Sequence, residues 1–173
     1  MSIKSIMTAL ANAVRSKTGT TGQLTLQGMA DALVSSCTEI TPGLIDRSIA
    51  TYTIPSNVTS IGGTAFTNCR SLTSIVIPSS VTSIASYAFN VCGSLTSVTI
   101  PYGVMSIGDR AFNLCSRLPS VIIPSSVTKI ASDTFHGCSS LTDIYCGFAE
   151  GVVSGAPWGA DNATIHYNSN GPA

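Results

Sequence analysis

The stretch LTSIVIPSSVTSIASYAFNVC (residues 72–92) decides the fold, because altered copies of it follow one another along the chain. Four kinds of residue return every 23 positions, and each kind forms a column: Cys69, Cys92, Cys115 and Cys138; Pro55, Pro78, Pro101 and Pro124; Phe66, Phe89, Phe112 and Phe135; Leu72, Leu95, Leu118 and Leu141. A fixed period of this size is typical of a solenoid, in which each repeat is one coil stacked on the coil before it.

The order of residues within one repeat predicts the path of the coil. Residues 75–77 are a β-branched run closed by Pro78, which cannot donate to a sheet ladder and so ends the strand. Residues 81–84 form a second short extended piece, and residues 88–89 then make a helical or 3₁₀ turn back to the next strand. Stacked coils of this kind predict a leucine-rich-repeat solenoid, a right-handed β-solenoid with a parallel sheet.

The repeats occupy only part of the 173 residues. Residues 1–38 predict a helical hairpin, since Ile3, Ile6, Leu10 and Val14 share one helical face. Residues 39–48 read as a linker, and residues 49–146 as a half-repeat followed by four repeats. Residues 147–173 predict a C-terminal cap in which Trp158 covers the last core layer and residues 163–167 add one last strand.

Composition argues against several classes of function. The formal net charge is zero and only 9% of residues are charged, so there is no basic stripe that would neutralise nucleic-acid phosphates. No apolar run reaches the length of about 18 residues that a membrane span requires, so membrane insertion is not expected. Residues 1–19 have no continuous apolar segment of the secretory type, so we expect cytoplasmic synthesis, a reducing environment and free thiols.

The cysteine column is the first candidate for chemistry, and geometry argues against a metal. Coils of a parallel solenoid are about 4.8 Å apart, so four stacked sulfurs form a line, whereas zinc needs four ligands around one point. We therefore predict small buried core residues, with Cys146 in the core as well and Cys37 outside the pattern.

Neither histidine predicts a catalytic centre. His136 shares a column with Thr67, Asn90 and Asn113, so it is expected to be a solvated turn residue. His166 lies in the final strand with no nucleophile or carboxylate at a suggestive spacing. No nucleophile elbow, phosphate loop or calcium loop occurs, and we expect neither enzyme activity nor a cofactor.

Strand alternation places two columns on the outer face of the sheet. They are Ser74, Ser97, Ser120 and Asp143, and Thr53, Val76, Thr99, Ile122 and Tyr145. The second column is more apolar than a solvated face requires, and Val76, Ile122 and Tyr145 would form one patch, whereas Tyr52 is expected to point inward. Two interpretations stay open: β-branched residues chosen for strand propensity, or a contact surface for a partner.

The repeat SLTSIVIPSSVTSIASYAFNVC (residues 71–92) closely resembles the BspA-like leucine-rich repeat of bacterial surface antigens. The flanks ALANAVRSKTGTTGQLTLQGMADAL (residues 9–33) and YCGFAEGVVSGAPWGADNATIHYN (residues 145–168) are similar to segments of predicted tail proteins of phages that infect Firmicutes. The resemblance implies a non-enzymatic phage tail or receptor-binding component, located in the virion. Its sheet would bind a bacterial surface glycan, a surface protein or a neighbouring tail subunit.

Two other functions agree with the same residues. One is a soluble phage-encoded binder that captures or inhibits a host protein in the host cytoplasm. The other is a cell-surface adhesin exported by a route that the sequence does not show. The partner classes are thus a protein or a surface glycan, with a homo-oligomer left open.

Overall fold

The computed structural model describes residues 39–40 and 47–171. The helical hairpin predicted for residues 1–38 and the position of Cys37 lie outside this part of the chain. Within it, eleven short strands lie on two sides of a coil. Their bounds are β1 Glu39–Ile40, β2 Thr51–Thr53, β3 Ser60–Ile61, β4 Ser74–Val76, β5 Ser83–Ile84, β6 Ser97–Val98, β7 Ser106–Ile107, β8 Ser120–Ile123, β9 Lys129–Ile130, β10 Asp143–Cys146 and β11 Thr164–Tyr167.

The strands form parallel sheets on two sides of the solenoid. The first side carries β2-β4-β6 and β8-β10-β11, which are joined by a parallel bridge between Thr99 and Ile122. The second side carries β1-β3-β5-β7-β9. Pairing places like residues side by side, for example Ser83 beside Ser106 and Ile84 beside Ile107. The predicted parallel-sheet solenoid with a 23-residue period is confirmed.

Two details of the coil differ from the prediction. Strand β4 ends at Val76, one residue earlier than predicted, because Pro78 offers no N–H to extend the ladder. Strand β1 occupies the first two residues of the segment predicted as a linker, and Glu39 pairs with Ser60. That pair is offset by 21 positions, so the 23-residue period gives no sign of β1.

The third side of each coil is a chain of turns, where a helical or 3₁₀ turn was predicted. We call residues 62–70, 85–93, 108–116 and 131–139 the turn side. Tyr87 and Val91 have φ near 60°, which interrupts any helical run. Alternate N–H groups point to the next coil instead of back along their own: Tyr87, Phe89 and Val91 donate to the carbonyls of Asp109, Ala111 and Asn113 at 3.0, 2.7 and 2.8 Å. Successive coils are thus joined on all three sides.

The predicted columns meet in one core. The phenylalanine rings stack along the axis, with centroids 5.0 Å apart for Phe66 and Phe89, 5.1 Å for Phe89 and Phe112, and 5.6 Å for Phe112 and Phe135. The leucine and cysteine columns are buried beside them, and so are Cys146 and Tyr52, as predicted. Because each ring contacts the ring before and after it, the core is continuous from coil to coil.

The segment predicted as a C-terminal cap packs against the end of this core. Strand β11 pairs with β10, and Trp158 is fully buried in contact with Phe148, with ring centroids 6.4 Å apart. Trp158 stands 23 residues after Phe135, and its carbonyl accepts the N–H of Phe135 at 2.9 Å. By its backbone hydrogen bonds Trp158 takes the position of Ala88, Ala111 and Thr134, whose carbonyls accept the N–H groups of the preceding phenylalanines.

Candidate interaction surface

All nine residues predicted for the outer columns lie on the outer face of the first side. Thr53, Val76, Ser97 and Thr99 are exposed, and Ser74, Ser120, Ile122, Asp143 and Tyr145 are half-buried. Their inward neighbours are buried, since Ile75, Val121 and Ile144 are all at most 5% exposed. The strand alternation that selected these columns is therefore correct, and their role as a contact surface stays a prediction.

The apolar residues of this face do not form the single patch that the sequence suggested. Val76, with 58% of its surface exposed, pairs with Thr53. Ile122 pairs with Tyr145, and Thr99 bridges to Ile122 from the other side. A β-carbon built on Gly171 would lie 3.3 Å from Ile122 Cδ1, so the chain after β11 passes over Ile122. The face has an open half around Val76 and a covered half around Ile122.

The C-terminal corner of the face contains a group that the sequence analysis missed. His166 Nε2 lies 2.8 Å from Asp143 Oδ1, and the imidazole stacks on the ring of Tyr145 with centroids 4.6 Å apart. The expectation that no carboxylate stands at a suggestive spacing from His166 is wrong. The signal was present, because Asp143 precedes His166 by one repeat period.

This corner holds Asp143 in its charged form. The hydrogen bond from His166, together with one from the hydroxyl of Thr142 at 2.8 Å, lowers the pKa of the Asp143 carboxyl below its ordinary value of 3.8. Both donors favour the carboxylate over the acid. The partly exposed Asp143 carboxylate is therefore charged and held in one orientation beside the stacked rings of Tyr145 and His166.

The cysteine column is structural, with a specific hydrogen-bonding role. The thiols of Cys92, Cys115 and Cys138 donate to the carbonyls of Phe66, Phe89 and Phe112 in the preceding coil at 3.2, 3.3 and 3.1 Å. The five cysteines in the described part of the chain are unbridged. Cysteine suits the column because it is small, apolar and still able to donate to a buried carbonyl.

We expect these thiols to resist alkylation until the protein unfolds. Burial raises the pKa of Cys92, and that of Cys146, from 9.0 to about 12, so the reactive thiolate is scarce at pH 8. Iodoacetamide labelling with peptide mass mapping should modify neither residue in buffer and both in urea. Because the unfolded thiol loses its proton first, stability should fall as pH rises from 9 towards 12. Rapid labelling of Cys92 in the native protein would contradict the buried position.

The turn side carries ladders of polar side chains rather than a catalytic group. Asn113 Nδ2 donates to Asn90 Oδ1 at 2.7 Å, and His136 Nδ1 lies 3.0 Å from Asn113 Oδ1. A second ladder joins Tyr87, Arg110 and Asp133. His136 is exposed, as predicted, but it also ends the series of side-chain contacts that runs from Asn90 through Asn113. These contacts repeat at the coil period and support the stack.

Residues 39–40 and 47–171 contain no group of three or more His, Cys, Asp or Glu side chains that could hold a metal ion. Across the same residues, no helix is long and apolar enough to cross a membrane.

Solved structures with similar coils come from several bacteria. The leucine-rich-repeat protein TpLRR of T. pallidum is 30% identical over 69% of this chain and 56% of its own, with a TM-score of 0.62. A leucine-rich cell surface protein of Faecalibacterium prausnitzii is 38% identical over 60% of this chain and 27% of its own, with a TM-score of 0.58. A leucine-rich-repeat protein of Eubacterium ventriosum, 24% identical over 75% of this chain and 36% of its own, shares the fold with a TM-score of 0.63.

The chain spans between about a quarter and somewhat over half of the length of these structures. No curated protein matches it. Leucine-rich-repeat scaffolds are typically non-enzymatic, and the fold suggests a role in protein binding or adhesion. Residues 45–150 match the model of the BspA type leucine-rich repeat region in six copies, so the chain belongs to this family.

Proposed function

We propose that the protein is a non-enzymatic adhesion component that binds a protein or glycan partner through the outer face of its first side. The observation that carries the proposal is the open half of that face. There Thr53, Val76, Ser97 and Thr99 are exposed side by side over strands whose inward residues are buried. A flat face of hydroxyls around one apolar side chain suits a partner that offers both hydrogen bonds and an apolar contact.

We further propose that this component belongs to a phage tail. The support is the similarity of residues 9–33 and 145–168 to segments of predicted tail proteins of phages that infect Firmicutes. The second segment includes the last two residues of β10 and all of β11, so it adjoins the proposed binding face. Electron microscopy of phage particles labelled through the C-terminus of this chain tests the assignment, and absence of the protein from purified virions would refute it.

A positive charge introduced on the first side of the solenoid, or on the second side as a control, tests the binding face. Val76 on the first side is 58% exposed, and Met105 on the second side is 54% exposed. Val76→Arg should weaken attachment of labelled full-length protein to host cells at least about tenfold, since the charge disrupts the contact. Met105→Arg is the matched control, because it replaces an equally exposed apolar side chain away from the face. Equal losses in both variants, or no loss in either, would contradict this placement of the face.

A soluble binder of a host protein is the alternative, and the same pair of variants separates it. In that case a host lysate should yield one stoichiometric partner with wild type and Met105→Arg, but not with Val76→Arg. Intact cells should then bind no protein. The uncovered surface of Val76 favours a partner of either kind over a purely structural role for the column.

A further inference from the structure

Strand β11 leaves one edge of the first side unpaired. Thr164 N–H donates to the carbonyl of Thr142 at 2.8 Å, so the backbone groups of Thr164 and, two residues on, His166 face β10. In a parallel ladder the backbone groups of alternate residues point to opposite sides. Those of Ile165 and Tyr167 therefore point away from β10, and no described residue pairs with them.

The side chains at this edge are also incompletely covered. Ile165 and Tyr167 pack against the core but are only half-buried, whereas their partners in β10, Ile144 and Cys146, are fully buried. Sheet edges that stay open are usually protected by Lys, Pro or a bulge. Thr164–Tyr167 contains neither Lys nor Pro and pairs with β10 in unbroken register.

The edge is self-complementary when two copies meet about a two-fold axis. In two antiparallel β11 strands, Ile165 of one copy would exchange two backbone hydrogen bonds with Tyr167 of the other copy. The two-fold axis repeats this pair on the other side of the centre, where the two His166 residues lie opposite each other. The core-side pairs would then be a β-branched residue against an aromatic one, which is a favourable cross-strand pair. On the outer face, the stack of Tyr145 on His166 would continue into the second copy.

We propose that the partner of this edge is a second copy of the chain, bound through antiparallel pairing of the two β11 strands. The edge residues are uncharged apart from the titratable His166, and the formal net charge of the chain is zero, so no large repulsion opposes the contact. The dimer would join the first sides of two copies into one continuous sheet. This inference does not depend on the identity of the partner bound by the outer face.

Disulfide trapping tests the register. At the centre of the pair the two Cα atoms of residue 166 would be about 4.5 Å apart, within the range of about 4.4–6.8 Å for disulfides. His166→Cys in a Cys37→Ser background should give a covalent dimer on mild oxidation. Thr164→Cys in the same background is the control: it projects on the same face, but its two copies would lie about 13 Å apart along the strands. Equal cross-linking in both variants, or none in either, would overturn the register.

Light scattering after size exclusion tests the contact itself. Wild type should elute with twice the mass of one chain, and Ile165→Pro with the mass of a single chain. Proline removes an outward N–H and no bond to β10, so the fold should persist with an unchanged circular dichroism spectrum. A wild type that stays monomeric at high micromolar concentration overturns the proposal. Open-ended oligomers would overturn it as well, because they would indicate that β11 of one copy pairs with β2 of the next copy in a head-to-tail stack.

Discussion

Replacing Phe112 with alanine should lower the free energy of unfolding by about 3–5 kcal/mol. Phe112 is fully buried and stacks between Phe89 and Phe135, with centroid distances of 5.1 and 5.6 Å. Its removal deletes two ring contacts and leaves a cavity between coils. The neighbouring rings cannot close that cavity, because hydrogen bonds on all three sides fix the spacing of the coils.

Urea unfolding followed by circular dichroism measures this loss. Leu114→Ala, two residues away, is the control, because Leu114 is 45% exposed on the turn side. It should change the free energy of unfolding by less than about 0.5 kcal/mol. A cost below about 1 kcal/mol for Phe112→Ala would mean that the coils can collapse onto the cavity, against the continuous core described above.

Trp158→Ala should also cost about 3–5 kcal/mol, and its effect should be concentrated at the C-terminal end. The indole is fully buried, contacts Phe148 edge-on, and donates from Nε1 to the carbonyl of Ser154 at 2.9 Å. Trp158→Phe should cost less, because a phenylalanine keeps an aromatic ring against Phe148. The order Ala, then Phe, then wild type is the expected order of increasing stability.

Native-state hydrogen exchange locates the effect of Trp158→Ala. In a repeat stack each coil contacts only its neighbours, so the end can open while the middle stays closed. The N–H of Phe135, which donates to the Trp158 carbonyl, should exchange much faster, as should the amides of β10 and β11. Amides of β4 should be unchanged. Uniform acceleration along the chain would show that the solenoid opens as one unit.

The repeat period allowed much of the fold to be predicted from the sequence. Residues in the same column meet the same environment, so Phe89, Cys92 and Leu95 could be assigned to the core from their recurrence alone. The same argument placed Val76 outside and Tyr52 inside. Trp158 was predicted to cover the last core layer, but its position in line with Ala88, Ala111 and Thr134 became clear only in the structure.

The remaining features were missed for other physical reasons. Strand β1 pairs at an offset of 21 residues, so no column contains it. The turn side depends on left-handed Tyr87 and Val91, which are residue types with no preference for that conformation. The contact of His166 with Asp143 crosses from a strand to the next strand, and the C-terminal tail covers Ile122 from outside the repeats.

The hydrogen bonds of the turn side give the molecule an electrical polarity. In the sheets, N–H groups point in both directions along the solenoid axis, and their dipoles largely cancel. On the turn side, the bonded peptides at Tyr87, Phe89 and Val91 direct N–H towards the C-terminal coils and C=O towards the N-terminal coils. Their dipoles add from coil to coil, as they do in an α-helix. The solenoid is therefore a rod with a partial positive pole near Trp158 and a partial negative pole near Ala65, although its net charge is zero.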